Sequence, residues 1–121
     1  MPLKLHDTPS SHFHDVPIRE GDVFLWPAQM RHSLQRPQEG SIRQVIEPGC
    51  PEGALDAVAW YGFNCQTSVD QAEVDLVSVV DDLPPIYARF YADAALRICP
   101  NCVTLHSGKE PPAGWTRLCQ T

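Results

Sequence analysis

The rhythm of hydrophobic and polar positions changes twice along this 121-residue chain. Residues 1–14 show no sustained period. Pro2, Pro9, Ser10 and Ser11 interrupt the stretch, and an irregular leader is expected there. From 15 to 61, short apolar runs alternate with turn residues. Val23-Phe24-Leu25-Trp26 follows Glu20-Gly21-Asp22, Ile42, Val45 and Ile46 precede Pro48-Gly49, and Ala57 to Tyr61 form a third run. Short strands punctuated by Pro and Gly predict a β-sandwich or barrel. Beyond residue 62 the pattern shifts again. Val69 to Val80 has mixed spacing that fits neither period. Pro84-Pro85 then opens a predicted helix, with Ile86, Phe90 and Ala94 at four-residue steps and Tyr87 and Tyr91 on a neighbouring stripe. The helix is expected to end before Cys99-Pro100. From Ser107 on, Gly108, Pro111, Pro112 and Gly114 predict a loop or surface strap. No internal repeat is evident. The expected organisation is a leader (1–14), a barrel part (15–61), and a region of helix, cysteine knuckle and tail (62–121).

Composition narrows the partners. A hydrophobic fraction of 43% in 121 residues suits one domain with a modest core. The net charge is -6 and no basic block occurs, so nucleic acid is not an expected partner. A small anionic ligand remains compatible with a locally positive pocket. No apolar run has the length needed to cross a bilayer, and the first residues do not read as a secretory signal. A cytoplasmic protein with no membrane partner is expected. Its five cysteines are odd in number. In a reducing compartment they point to thiolate–metal chemistry or inert thiols before disulfides.

The most informative stretch runs from Gly21 to His32. A glycine turn launches an apolar run, Pro27 ends it, and a short loop delivers His32. A neutral imidazole there could bind a divalent metal given further ligands. Alone, it reads as a hydrogen-bonded loop histidine. The spacing Gly21, Pro27, His32 resembles the second cupin motif, with Gln29 and Arg36 departing from its usual glycine and asparagine.

Those departures are similar to 3-hydroxyanthranilate 3,4-dioxygenases. The likeness runs through Pro17-Ile18-Arg19-Glu20-Gly21-Asp22-Val23-Phe24-Leu25-Trp26-Pro27-Ala28 and Arg31-His32-Ser33-Leu34-Gln35-Arg36-Pro37. It continues in Val45-Ile46-Glu47, Glu52-Gly53-Ala54-Leu55-Asp56, Trp60-Tyr61, Asp82-Leu83-Pro84-Pro85-Ile86-Tyr87, Arg89-Phe90-Tyr91, Leu96-Arg97-Ile98-Cys99 and Cys102. It covers about residues 15 to 106. The resemblance implies a mainly β fold: a partial cupin (jelly-roll) barrel with a C-terminal helix and a rubredoxin-like cysteine knuckle. It also implies ring opening of 3-hydroxyanthranilate by dioxygen at Fe(II), within the route from tryptophan to quinolinate and NAD. By the same resemblance His32 is an iron ligand. Arg36 grips the carboxylate of a small aromatic substrate, and Glu47 both contacts that substrate and assists proton removal. These roles fit the chemistry, since guanidinium and carboxylate pair bidentately and a glutamate can accept a phenolic proton. Without the resemblance, Arg36 and Glu47 would read as solvated surface charges.

The family's first cupin motif, which contributes a histidine and a glutamate to iron, is not found among these residues. The two-histidine, one-carboxylate set is therefore not expected to close by its ordinary route. His12-Phe13-His14 is a substitute to weigh, because a His-x-His pair on a strand shares a face and Glu20 follows. Incidental leader residues are the plainer reading. An incomplete barrel leaves strand edges to cover, so a homodimer is expected.

Cys99-Pro100-Asn101-Cys102 is a C-x-x-C knuckle. By the resemblance, a first pair belongs at positions 62 and 65, where the chain reads Gly62-Phe63-Asn64-Cys65. Cys65, Cys99 and Cys102 remain for a second, structural zinc or iron, with Cys50, Cys119 or His106 as possible fourth ligands. Three functions stay open: the dioxygenase, impaired by the missing motif; a homologue repurposed as a metal-independent cyclase or isomerase; and a non-catalytic interaction module.

Overall fold

A computed structural model describes residues 2–7, 12–35 and 39–109. The elements are β1 (Pro2–Asp7), β2 (His12–Pro17), β3 (Arg31–Leu34), β4 (Asp56–Tyr61), β5 (Ser68–Val74), α1 (Val79–Ala92) and a 3-10 turn at Ala94–Arg97. The chain is mainly β, a partial cupin fold with open sheets followed by one helix and the cysteine knuckle. Among the described residues, two compact units divide it, one up to Gln44 and the other from Val45 to Lys109.

In the first unit, β1 is the central strand of a sheet ordered β2-β1-β3, antiparallel on both sides. The expected irregular leader is thus two strands. Leu3-Lys4-Leu5-His6 alternates apolar and polar, a pattern of period two. Pro2 sits at a strand's first residue, where its missing N–H is tolerated. All four residues Leu3 to His6 are buried, so both faces of β1 are covered. Lys4 lies opposite Asp15 in the register, and its Nζ meets Asp15 Oδ1 at 2.9 Å, as a buried cation requires.

Two predicted strands are absent. Residues 22–28 and 41–50 carry no ladder, and among the described residues no strand pairs with them. Val23 is 98% exposed, Leu25 93%, Ile42 93% and Ile46 85%. Apolar alternation suits a strand, yet a strand forms only where a neighbour satisfies its amides. Phe24 and Trp26 are only half-exposed, so the period of two persists without the hydrogen bonds.

In the second unit, β4 pairs with β5 in an antiparallel hairpin, as Ala57 to Tyr61 predicted for β4. A register shift falls between Trp60 and Tyr61. Trp60 stacks on Phe90 of α1 at 4.1 Å and 10°, while Tyr87 meets it edge-on at 5.8 Å. Phe90 is fully buried, and Arg89 Nη2 reaches Asp70 Oδ2 on β5 at 2.7 Å. The helix begins five residues before Pro84, because Ser78 caps it. The Ser78 hydroxyl accepts from the Asp81 amide, and the Asp82 carboxylate accepts from the Val77 and Ser78 amides. Pro84 and Pro85 lie inside. The helix also ends earlier than expected, at Ala92. Asp93 turns the chain, and its side chain accepts from the Ala95 amide to start the 3-10 turn. Ala94 therefore leaves the helical stripe that its spacing suggested.

Candidate metal centre

Two six-residue loops build the site. The first, Gly62 to Thr67, is the turn between β4 and β5, flanked by the pair Tyr61 and Ser68. The second, Cys99 to Thr104, is flanked by the bridge Ile98 and Leu105. Their backbones repeat one another. Gly62 N donates to Thr67 O at 2.8 Å and Gln66 N to Gly62 O at 2.8 Å. In the second loop Cys99 N donates to Thr104 O at 3.0 Å and Val103 N to Cys99 O at 2.9 Å. Each loop turns through a left-handed fifth residue, Gln66 at φ 60 and Val103 at φ 61. The sequences echo this: Gly62-Phe63-Asn64-Cys65-Gln66-Thr67 against Cys99-Pro100-Asn101-Cys102-Val103-Thr104 share Asn-Cys-x-Thr. A repeat this short escaped the sequence reading, although the common Asn-Cys-x-Thr was the signal for it. By this correspondence Gly62 stands where the second loop has Cys99.

The loops bring Cys65, Cys99 and Cys102 together, with their sulfurs within 4.8 Å of one another. Cys65 Sγ and Cys99 Sγ are 3.4 Å apart. Around a tetrahedral zinc with Zn–S near 2.3 Å, sulfurs lie about 3.8 Å apart, so small shifts would seat an ion. Hydrogen bonds from the Thr67 hydroxyl and amide, and then from Cys99, lower the Cys65 thiol to about 6. Cys102 is lowered chiefly by Thr104, hydroxyl first and amide second. The Cys102 amide favours the Cys99 thiolate, but burial and the proton shared with Cys65 and Cys102 hold Cys99 above its usual value. Thiolates are what a metal needs, and the residues present fit zinc or iron.

The possible fourth ligands stand outside this group. Cys50 is exposed, with its Sγ 3.2 Å from Asp56 Oδ1, a hydrogen bond that pushes its pKa up. His106 is buried, its ring 4.4 Å from that of Phe63, and its Nδ1 accepts from the Gly108 amide. Burial, then Arg97, lowers its pKa. Cys119 lies outside the described residues.

The residues named around the cupin motif fall in different units. His32 is on β3, exposed, with its ring 4.6 Å from that of Trp26. When Nδ1 carries the ring proton it donates to Met30 O at 3.3 Å, which would leave Nε2 for a metal. His14 and His32 sit opposite Leu5 from either side, on one face of the sheet. Two strand spacings, about 9.6 Å, separate their backbones. His12 is two residues along the same face, and Glu20 is exposed in a turn. Among the described residues, the three cysteines are the one group of His, Cys, Asp and Glu side chains close enough to share an ion. A three-ligand iron set around His32 is therefore not assembled by the described residues. Glu47 is exposed in the second unit, within the ladder-free stretch 41–50. Arg36 lies outside the described residues.

Comparison with known proteins brings these features together. A family model described as 3-hydroxyanthranilic acid dioxygenase matches residues 1–91. The match starts in the stretch read as a leader, earlier than the likeness seen from residue 15. A 3-hydroxyanthranilate 3,4-dioxygenase of Brucella anthropi is 66% identical over 118 residues, covering 98% of this chain and 65% of the relative. The protein of that name from Ruegeria pomeroyi is 58% identical over 118 residues, covering 98% and 64%. That from Shewanella woodyi is 58% identical over 105 residues, covering 87% and 56%. The chain thus spans somewhat less than two thirds of the length of these relatives. With a family match across three quarters of its residues, the chain belongs to the 3-hydroxyanthranilic acid dioxygenase family.

Proposed function

We propose that the chain serves the ring opening of 3-hydroxyanthranilate by dioxygen, the activity named for its relatives. The observation that carries this reading is the family match over residues 1–91, which takes in His32, Arg36 and Glu47. In this reading Arg36 pairs with the substrate carboxylate and Glu47 accepts the phenolic proton. His32 offers iron one imidazole nitrogen. The described residues assemble no three-ligand group around it, so no step is derived through iron.

Oxygen uptake with 3-hydroxyanthranilate, with and without added ferrous iron, tests this. Expected is weak, iron-dependent uptake that His32→Ala abolishes. Turnover unchanged by a chelator would replace this reading with a metal-independent enzyme. Binding of neither iron nor substrate would replace it with a non-catalytic module.

The cysteine trio, in this proposal, holds a structural zinc or iron and ties the β4–β5 turn to the loop after the 3-10 turn. Reduced thiols at such a site accord with a cytoplasmic location. The exposed Val23, Leu25, Ile42 and Ile46 support a homodimer that covers them. A monomer mass independent of concentration in light scattering would rule the dimer out.

A further inference from the structure

We propose that the metal held by Cys65, Cys99 and Cys102 keeps its fourth tetrahedral position open to a small exogenous donor, because Gly62 vacates it. The inference rests on the reading that the trio binds a metal. It does not depend on dioxygenase activity.

The two loops are near-copies in hydrogen bonding and in backbone hand, so their first and fourth positions correspond. In the second loop those are Cys99 and Cys102. In the first they are Gly62 and Cys65. A Cβ built on Gly62 would lie 3.5 Å from both Cys65 Sγ and Cys99 Sγ, with nothing nearer. A side chain at position 62 would therefore face Cys65 and Cys99, and glycine offers no donor there. His106 and Cys50 do not join the group, so none of the described His, Cys, Asp or Glu side chains completes it. Three protein ligands with an open fourth position let an exogenous donor reach even a structural ion, whereas four thiolates close the site. The chemical class admitted is a single small donor: water, a thiol or an imidazole.

The full chain, loaded anaerobically with cobalt(II) as optical probe, supplies the test. Metal content and X-ray absorption give the stoichiometry and the sulfur count, and imidazole is then titrated in. Expected are one ion per chain, three sulfurs with one lighter atom, and a d–d spectrum that shifts with imidazole. Gly62→Cys should give four sulfurs, lose the imidazole response and hold the metal roughly tenfold or more tighter. Gly62→Ala, which adds a Cβ without a donor, should fold and show no tightening. One ion with four sulfurs in the native chain, or a spectrum indifferent to imidazole, overturns the open position and leaves the metal reading standing. Metal in Gly62→Cys but not in the native chain overturns both, as does metal in neither.

Discussion

Val103 holds the left-handed backbone of the second loop, at φ 61, and is 75% exposed. A β-branched side chain there costs about 1–2 kcal/mol, and no burial offsets it. Glycine takes that conformation freely but loses more chain entropy on folding. Val103→Gly should therefore stabilise the metal-free protein by up to about 1 kcal/mol, read from the urea midpoint. An unchanged or lowered midpoint would show that Val103 is not strained. Gly62 is the opposite case. Its φ needs no glycine, and the space beside it is lined by two sulfurs. Its meaning was partly legible in sequence, as a departure from a cysteine pattern. Its position against Cys99 was not, since the two are 37 apart along the chain and meet only through folding.

Helix α1 shows how a few polar groups move an element's boundary. Proline spacing placed the start at Pro84, while the Ser78 cap and the Asp82 carboxylate place it at Val79. Ser78→Ala should cost about 1 kcal/mol. Asp82 titrates below the ordinary carboxylate range, because the Ser78 and Val77 amides donate to the charged form. The folded pKa is depressed, so this contribution is present above the unfolded value of about 3.9 and fades as pH falls through the lower folded one. Stability measured from pH 6 down to 2 should therefore fall less steeply in Asp82→Asn than in the native chain. An identical slope would sink the point. On the inner face, Phe90 is fully buried against Trp60. Phe90→Ala should cost about 3–5 kcal/mol, with Trp60 fluorescence reporting the transition.

At the scale of the molecule, the second unit has a small core, in which Trp60, Phe90 and Cys99 are the buried apolar side chains among the described residues. A bound metal would add to its stability by mass action, about 2.7 kcal/mol at a hundred times Kd. A chelator should lower the thermal midpoint, and Cys99→Ser should lie at the lowered midpoint with or without chelator. A chelator effect that survives Cys99→Ser would place the metal elsewhere.

The sequence by itself determined the family, the β character, the strand at 57–61, the helical stripe of Phe90 and the three cysteines. These are local patterns or ordered blocks, and they survive without knowledge of what lies beside them. Tertiary structure decided the rest. It made strands of the supposed leader, since Leu3 and Leu5 are sheltered between β2 and β3. It denied a ladder to Val23–Trp26, since a strand needs a neighbour's amides and none of the described strands offers them. It also set the two loops together, so that Cys65, Cys99 and Cys102 meet with Gly62 beside them. Hydrogen-bond partners and ligand positions are properties of space, and spacing along a chain only limits them.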